Sequence, residues 1–225
     1  MDNAPPPDEA TLEKLLDAYA PLGPAPLCPE VRVYQARDLY ELWDAAERLV
    51  GGVVQPPFWA VPWPAGLAIA RVLLDAPVWA RARKCLDVGV GGGVVAIAAA
   101  KAGAASSVGA DVDPWALAVA KLAAEKNGVT LRLVLEDLAA QDPDETPEVI
   151  LAADLEYEKT RAPLVRARLE ALVQTGAVLL AADAGRTFFK TEGLRLVASF
   201  TLPVSRAVEG TEVREAKVYC AENLH

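Results

Sequence analysis

Lys84-Cys85-Leu86-Asp87-Val88-Gly89-Val90-Gly91-Gly92-Gly93 is the stretch of this 225-residue chain that decides its fold. The apolar run from Cys85 to Val88 predicts a short buried strand, and the run from Val94 to Ala102 predicts a helix. The glycines between the two runs therefore lie on a strand-to-helix turn. Because glycine has no side chain, the backbone of such a turn can approach a bound ligand closely.

The charge next to this turn predicts the kind of ligand. A dinucleotide-binding turn has a third glycine at the position that Val94 occupies here, and it holds a pyrophosphate. Asp87 ends the strand and would repel a pyrophosphate, whereas it attracts a ligand with an ammonium and a sulfonium group. S-Adenosylmethionine is such a ligand. Its predicted contacts here are Asp87, Gly89, Gly91 and Gly93.

Acidic residues at the ends of the next two predicted strands extend this pocket. Asp111 follows the glycine turn at the spacing of about 20 residues where a carboxylate accepts both ribose hydroxyls. Asp113 precedes a proline and is expected to cap the following helix rather than to touch the ligand. Asp137 is favoured over Glu136 as the acceptor for the adenine amine, and a solvated acidic loop is the alternative.

The rest of the pattern predicts an α/β fold, namely a Rossmann-like, doubly wound, seven-stranded sheet with a short N-terminal helical extension. The predicted strands are 84–88, 107–111, 130–135, 148–153 and 177–182, followed by a closing antiparallel pair at 194–202 and 215–221. Helices are predicted at 65–80, 94–102, 114–127 and 160–174. In such a sheet the ligand lies at the carboxyl ends of the parallel strands.

Residues 1–55 are predicted to form an N-terminal extension that is partly disordered at 1–9 and serves as a helical cap. It contains a helix at 11–20, a Pro-rich connection at 21–29, a strand near 31–34 and an amphipathic helix at 38–50 that ends at Gly51. Residues 56–225 form the ligand-binding domain. A chain of this length suits one domain with a sizeable core.

Composition excludes several classes of function. The net charge of −9 argues against nucleic acid as a partner, and no apolar run approaches the roughly 20 residues needed to cross a membrane. Three widely spaced cysteines and the lack of a secretory signal fit a cytoplasmic protein. The single histidine is His225, so no histidine-based metal site or catalytic triad is expected.

A second motif carries a resemblance to a known family. Gln55-Pro56-Pro57-Phe58-Trp59-Ala60-Val61-Pro62-Trp63-Pro64-Ala65-Gly66 resembles the P-F-W-A-x-x-W-P-x-G element of the lysine methyltransferases that act on the electron-transfer flavoprotein β-subunit. These are seven-β-strand, S-adenosylmethionine-dependent enzymes. Further matches are at 97–103, 111–114, 151–154 and 183–186, so the similarity runs from about residue 30 to residue 220.

The resemblance implies residues for the methyl-transfer end of the pocket. Trp59 and Trp63 are expected near the methionine part of the donor. For Trp63, a cation-π contact with the sulfonium and a plain packing role remain alternatives. Phe58 is expected in the core.

The family also carries an acidic residue, two variable positions and an aromatic, and Asp154-Leu155-Glu156-Tyr157 satisfies this signature. Asp154 is expected to contact the donor and, with Glu156, to recruit and align the substrate lysine, whereas Tyr157 orients the amine. An ordinary exposed carboxylate is the alternative for Glu156, which stands where close relatives commonly have an aromatic. Gly92 and Ala184 stand where Ser or Thr, and Pro, are usual.

The resemblance therefore implies a protein-lysine N-methyltransferase whose protein substrate is the flavoprotein β-subunit. The tetrapeptide lacks the two prolines of enzymes that methylate planar amines, which favours an aliphatic amine. A methyltransferase of the same fold acting on a ribosomal protein or a small-molecule amine is one alternative. A non-catalytic S-adenosylmethionine-binding module is another.

We expect the Asp87→Ala variant to keep its fold and to lose binding of S-adenosylmethionine, because the substitution removes the carboxylate that attracts the ligand's positive charges. Isothermal titration calorimetry measures the affinity, and circular dichroism checks the fold. An unchanged affinity in a folded variant would contradict the assignment of the pocket.

Overall fold

The computed structural model describes residues 4–137, 143 and 145–221. Its helices are α1 (Glu9–Tyr19), α2 (Leu39–Val50), α3 (Pro64–Asp75), α4 (Val94–Lys101), α5 (Pro114–Lys126), α6 (Ala162–Gln174) and α7 (Arg206–Glu209). Its strands are β1 (Leu22–Ala25), β2 (Cys28–Tyr34), β3 (Lys84–Val88), β4 (Ser106–Asp111), β5 (Arg132–Leu135), β6 (Val149–Ala153), β7 (Val178–Asp183), β8 (Arg195–Pro203) and β9 (Val213–Ala221). Short 3-10 helices lie at Phe58–Ala60 and Pro77–Trp79.

The large sheet has seven strands in the order β5-β4-β3-β6-β7-β9-β8. Strands β3 to β7 are parallel, and β9 runs antiparallel to both β7 and β8. This arrangement confirms the predicted doubly wound sheet with its closing antiparallel pair. The strand order reverses between β3 and β6, which is the switch point where α/β sheets of this kind bind ligands.

Residues 22–34 differ from the prediction. The segment 21–29, expected as a Pro-rich connection, contains β1 and the start of β2, which pair as an antiparallel hairpin. Leu27 at the turn has a φ of 65°. Pro24 is tolerated because each strand of this two-stranded ribbon has a free edge, so a residue without an N–H can face outward. The prediction of a connection at 21–29, which rested on the proline content of this segment, was therefore wrong.

The N-terminal extension packs onto the same hydrophobic core as the sheet. Of the residues predicted to be partly disordered, 1–3 lie outside the described residues. Ala4 donates its N–H to the Val53 carbonyl and accepts a hydrogen bond from the Trp115 indole. The division of the chain at residue 55 stays a prediction.

Two helix ends follow the expected chemistry. The Asp113 carboxylate accepts a hydrogen bond of 3.0 Å from the Trp115 N–H, which confirms its role as the cap of α5. Helix α2 ends at Gly51, whose φ of 64° lies in the left-handed region that favours glycine. Within the described ranges, no helix has the length and apolarity to cross a membrane.

The 3-10 turn at Phe58–Ala60 lies directly against the glycine turn. A Cβ atom added to Gly92 would lie 2.4 Å from the carbonyl oxygen of Trp59. Any side chain at this position would push the two backbones apart. This contact explains how glycine at position 92 lets the Trp59 segment pack so closely.

We expect Gly92→Ala to lower the free energy of unfolding by about 1–3 kcal/mol, because the new methyl group overpacks against backbone that cannot rotate away. Urea denaturation measures the change. Gly52→Ala is the matched control, since its added Cβ would meet only the Ala4 Cβ at 3.4 Å. Equal stabilities of the two variants would show that the Trp59 backbone yields freely.

Candidate functional site

A cavity of about 800 Å³ opens at the switch point of the sheet. Most of the predicted site residues line it: Trp59, Trp63, Asp87, Gly89, Gly91, Asp111, Asp137, Asp154 and Tyr157. Gly93 and Glu156 lie outside the lining. The fold therefore brings nine of the predicted residues to one cavity, at the carboxyl ends of the parallel strands.

The glycine turn is fixed to the end of β4. The backbone N–H groups of Gly89 and Val90 both donate to the Ala110 carbonyl, at 2.8 and 3.0 Å. Gly89 and Gly91 have φ angles of 73° and 49°, in the region where a side chain would cause strain. The turn thus presents bare backbone to the cavity.

Gly93 lies outside the cavity lining, and its expected contact with the ligand stays a prediction. It precedes α4 with a φ of 88°, and its added Cβ would lie 3.3 Å from the Ala120 Cβ and 3.4 Å from Ile97. Its lack of a side chain therefore allows α4 and α5 to pack closely. A regular glycine spacing could not distinguish this contact between helices from a contact with a ligand.

Asp87 is the most deeply buried charged group of the cavity, with 2% of its surface exposed. Its carboxylate accepts a hydrogen bond of 3.0 Å from the Ala96 N–H, in the first turn of α4. Burial raises its pKa well above the ordinary value, and the nearby charge of Asp111 raises it further. A cationic ligand would stabilise the ionised form of this group.

Asp111 is held by backbone at both carboxylate oxygens. It accepts hydrogen bonds from the N–H groups of Gly91, at 2.9 Å, and of Asp113, at 3.0 Å. Burial raises its pKa, whereas these hydrogen bonds lower it. Each oxygen has a further lone pair, so the fixed carboxylate can still accept two ribose hydroxyls.

Asp137 lines the cavity and forms an ion pair with Arg161. The guanidinium Nη2 of Arg161 lies 2.9 and 3.0 Å from the two carboxylate oxygens of Asp137. An adenine amine would share this carboxylate with the arginine. The expected contact with adenine stays a prediction.

The two tryptophans occupy distinct environments. Trp59 is buried and stacks on Trp115, with ring centroids 6.5 Å apart, and its indole N–H has no hydrogen-bond partner within the described part of the chain. The Trp63 indole donates to the Phe58 carbonyl. Phe58 itself is 47% exposed, so its expected place in the core was wrong.

Asp154 connects three elements. It follows β6 with a φ of 53°, which is strained for a residue with a side chain. Its carboxylate accepts a hydrogen bond of 3.0 Å from the Nε of Arg186 and one of 3.4 Å from the Ala65 N–H, at the start of α3. Burial raises the pKa of Asp154 to about 6, although the charge of Arg186 lowers it.

Glu156 does not face the cavity. Leu155 and Tyr157 line the cavity, and Glu156 between them is 4% exposed and lies 3.5 Å from the Nε of Arg166. Both sequence interpretations, a substrate-aligning group and an exposed carboxylate, therefore differ from its observed position. Tyr157 is 55% exposed at the opening of the cavity.

Arg186 is the site residue that sequence reasoning missed. It lines the cavity, and its guanidinium carbon lies 5.3 Å from the centre of the Trp63 ring. The sequence did contain a signal for Arg186, because residues 183–186 are one of the segments that resemble the lysine methyltransferase family. There the Asp183 carboxylate accepts hydrogen bonds from the N–H groups of Gly185 and Arg186, which fixes the turn.

The chain is similar to proteins named electron transfer flavoprotein beta subunit lysine methyltransferase. The one from Danio rerio is 34% identical over 169 residues, which are 72% of this chain and 65% of that protein, slightly less than two thirds of its length. The one from Xenopus laevis is 30% identical over 203 residues, which are 88% of this chain and 81% of that protein. The family model for ribosomal protein L11 methyltransferase matches residues 72–156.

A solved structure supports the fold independently. Magnesium protoporphyrin IX methyltransferase from Synechocystis, with bound S-adenosylmethionine, superimposes with a TM-score of 0.51 at 18% identity. The superposition covers 68% of this chain and 78% of that one. At this identity the likeness shows a common fold.

The cavity carboxylates predict a pH dependence. Burial raises the pKa of Asp154 to about 6, so this group becomes protonated as the pH falls through that value, and burial also raises the pKa values of Asp87 and Asp111, so both become protonated at a higher pH than ordinary aspartates. We expect affinity for S-adenosylmethionine to be highest near neutral pH. It should fall below pH 6 by up to about tenfold per pH unit for each carboxylate that must be ionised.

Calorimetry between pH 5 and pH 8 measures this dependence. Asp154→Asn, which cannot ionise, should show a shallower dependence than the unchanged protein. A flat profile in the unchanged protein would show that ionised carboxylates do not hold the ligand.

Proposed function

Because this chain belongs to the family of the electron transfer flavoprotein beta subunit lysine methyltransferases, we propose that it methylates lysines on the beta subunit of an electron transfer flavoprotein, with S-adenosylmethionine as the methyl donor. The observation that carries this proposal is the cavity at the switch point, where the chain buries carboxylates beside exposed backbone of a glycine turn. Carboxylates suit a cationic donor, and bare backbone suits its close approach.

The residues present fit the donor. A cavity of about 800 Å³ lies within the range of roughly 300–1,000 Å³ typical of small-molecule sites. The buried carboxylate of Asp87 gains a countercharge when a cation binds. When bound, S-adenosylmethionine supplies an electrophilic methyl group. The chain's own residues then have to hold and orient the two reactants.

The substrate amine must be neutral to attack the methyl group. A lysine with an ordinary pKa near 10.4 is only about 0.1% neutral near pH 7.4, which corresponds to roughly 4 kcal/mol. A carboxylate by itself would favour the ammonium form. Because Asp154 is already paired with Arg186, it can align the amine without holding a full unbalanced negative charge against it.

Tyr157 is the proposed orienting group at the cavity opening. Its side chain is half exposed and lines the cavity, so an incoming lysine can reach it from solvent. Its hydroxyl can accept a hydrogen bond from an amine or an ammonium group. Glu156, which lies outside the lining, has no part in this proposal.

A methyltransferase acting on ribosomal protein L11 is the second candidate, favoured by the family-model match to residues 72–156. Those residues include the glycine turn, Asp111 and Asp154, all of which line the cavity. The match therefore concerns the donor-binding half of the chain, which both kinds of enzyme need. It supports S-adenosylmethionine as the methyl donor more than it supports ribosomal protein L11 as the substrate.

We also propose a reducing, cytoplasmic location. Cys28 and Cys85 are buried thiols. Burial raises the pKa of the Cys28 and Cys85 thiols to about 12, so both remain protonated and unreactive. Buried, protonated thiols such as these two suit a compartment that keeps thiols reduced.

The test of substrate uses the purified protein with methyl-labelled S-adenosylmethionine and a lysate of its own source, followed by mass spectrometry of the labelled proteins. We expect label on lysines of the flavoprotein beta subunit. Asp87→Ala is the donor-binding control and should give no label. Label on ribosomal protein L11 would support the second candidate, and donor binding without any label would support a non-catalytic module.

A further inference from the structure

Four charged side chains form a chain that begins at the cavity and ends behind it. Asp154 pairs with the Nε of Arg186, and the Nη2 of Arg186 lies 3.1 Å from the Oε1 of Glu209. Glu209 in turn accepts a hydrogen bond of 3.1 Å from the Nε of Arg214. Two cations thus alternate with two anions, from the loops that follow β6 and β7 to α7 and β9.

The guanidinium of Arg186 is held at both ends. Its Nε meets Asp154, and both of its Nη atoms lie within 3.4 Å of the Glu209 carboxylate. A planar guanidinium that is bound in this way has a fixed plane, which a lysine ammonium could not provide. This plane lies over the Trp63 ring, at a distance of 5.3 Å from the ring centre.

Glu209 holds the guanidinium of Arg186 in place. Its side chain is almost fully buried, and Arg214 binds both its carboxylate and its backbone carbonyl, the latter at 2.9 Å. Removing one partner of a buried ion pair destabilises the fold, because the other charge is left buried and uncompensated. Arg186 is therefore fixed from the side that faces away from the cavity.

We propose that Arg186 is a positioning residue for methyl transfer, which keeps Asp154 ionised and Trp63 in place at the reactive end of the cavity. The inference deepens the proposed function and rests on it for its consequence in catalysis. The strained left-handed backbone of Asp154 supports it, because such a conformation persists only where several contacts fix it. Arg186 and the Ala65 N–H supply two of them.

The charges around Asp154 come from several elements. Arg186 lowers its pKa, and Asp183, at the end of β7, raises it. Glu209 contacts Arg186 on the far side of the guanidinium. Of these groups, Arg186 bears the charge that favours the ionised form, so its removal should make protonation of Asp154 easier.

The test is a direct titration of Asp154 that needs no ligand. In protein labelled with ¹³C at the aspartate carboxyl groups, the Asp154 signal is the one that Asp154→Asn lacks. We expect a midpoint of about 6 in the unchanged protein. In Arg186→Met the midpoint should rise by about 1–3 units, because an opposite charge in contact has been lost.

Two further variants complete the design. Arg186→Gln also removes the charge but keeps an N–H donor, and it replaces the methionine variant if that variant does not fold. Arg206→Met is the matched control, since Arg206 lies in α7 but pairs on the surface with Glu212. Its titration and its methylation rate should equal those of the unchanged protein.

Kinetics then link the titration to catalysis. Near pH 7 we expect Arg186→Gln to lower kcat at least tenfold. The variant should recover part of this loss as the pH rises, because Asp154 then ionises at a higher pH than in the unchanged protein. A purely structural role would lower stability without moving either pH profile. An unmoved Asp154 midpoint in folded Arg186 variants would overturn the inference.

The two proposals can fail separately. If the unchanged protein transfers no methyl group while the Asp154 midpoint shifts as expected, the pairing stands and the proposed function is wrong. If the unchanged protein methylates its substrate and the midpoint does not move, the proposed function stands and the role of Arg186 is wrong.

Discussion

The buried carboxylate of Asp87 is the constraint on which the site depends. It lies next to the last residue of β3, is almost wholly removed from water and accepts a hydrogen bond from the Ala96 N–H of α4. Removing an ion from water costs several kcal/mol even in a relaxed protein. In the ligand-free state this cost raises the pKa of Asp87 well above its ordinary value and so favours the neutral form, whereas a cationic donor would stabilise the ionised form. Stability and ligand binding are therefore opposed at this residue.

Two other carboxylates of the cavity, those of Asp111 and Asp154, are held in place before any ligand arrives. Gly91 and Asp113 hold the Asp111 carboxylate, while Arg186 and Ala65 hold that of Asp154. Groups that are fixed in advance lose little freedom when a ligand binds, which leaves more of the interaction energy for affinity and orientation. The half-exposed Tyr157 at the opening is less constrained, which suits contact with a protein substrate that arrives from solvent.

Most of the sheet could be predicted from the sequence because its signals are local. An apolar run, a glycine turn and a capping aspartate each act within a few residues, as Asp113 does at the start of α5. The hairpin of β1 and β2 was missed because its prolines suggested a loop. Pairing with a neighbouring strand, which is a non-local event, decided its structure.

By itself, the sequence determined the doubly wound fold and nine of the cavity residues, since parallel strands bring their carboxyl ends to one edge. The tertiary structure alone decided the direction in which each side chain points. It turned Glu156 towards Arg166, and it brought Arg186 to Asp154 from 32 residues away. Residue spacing carries no information about such contacts, because they depend on how helices and strands pack after the chain has folded.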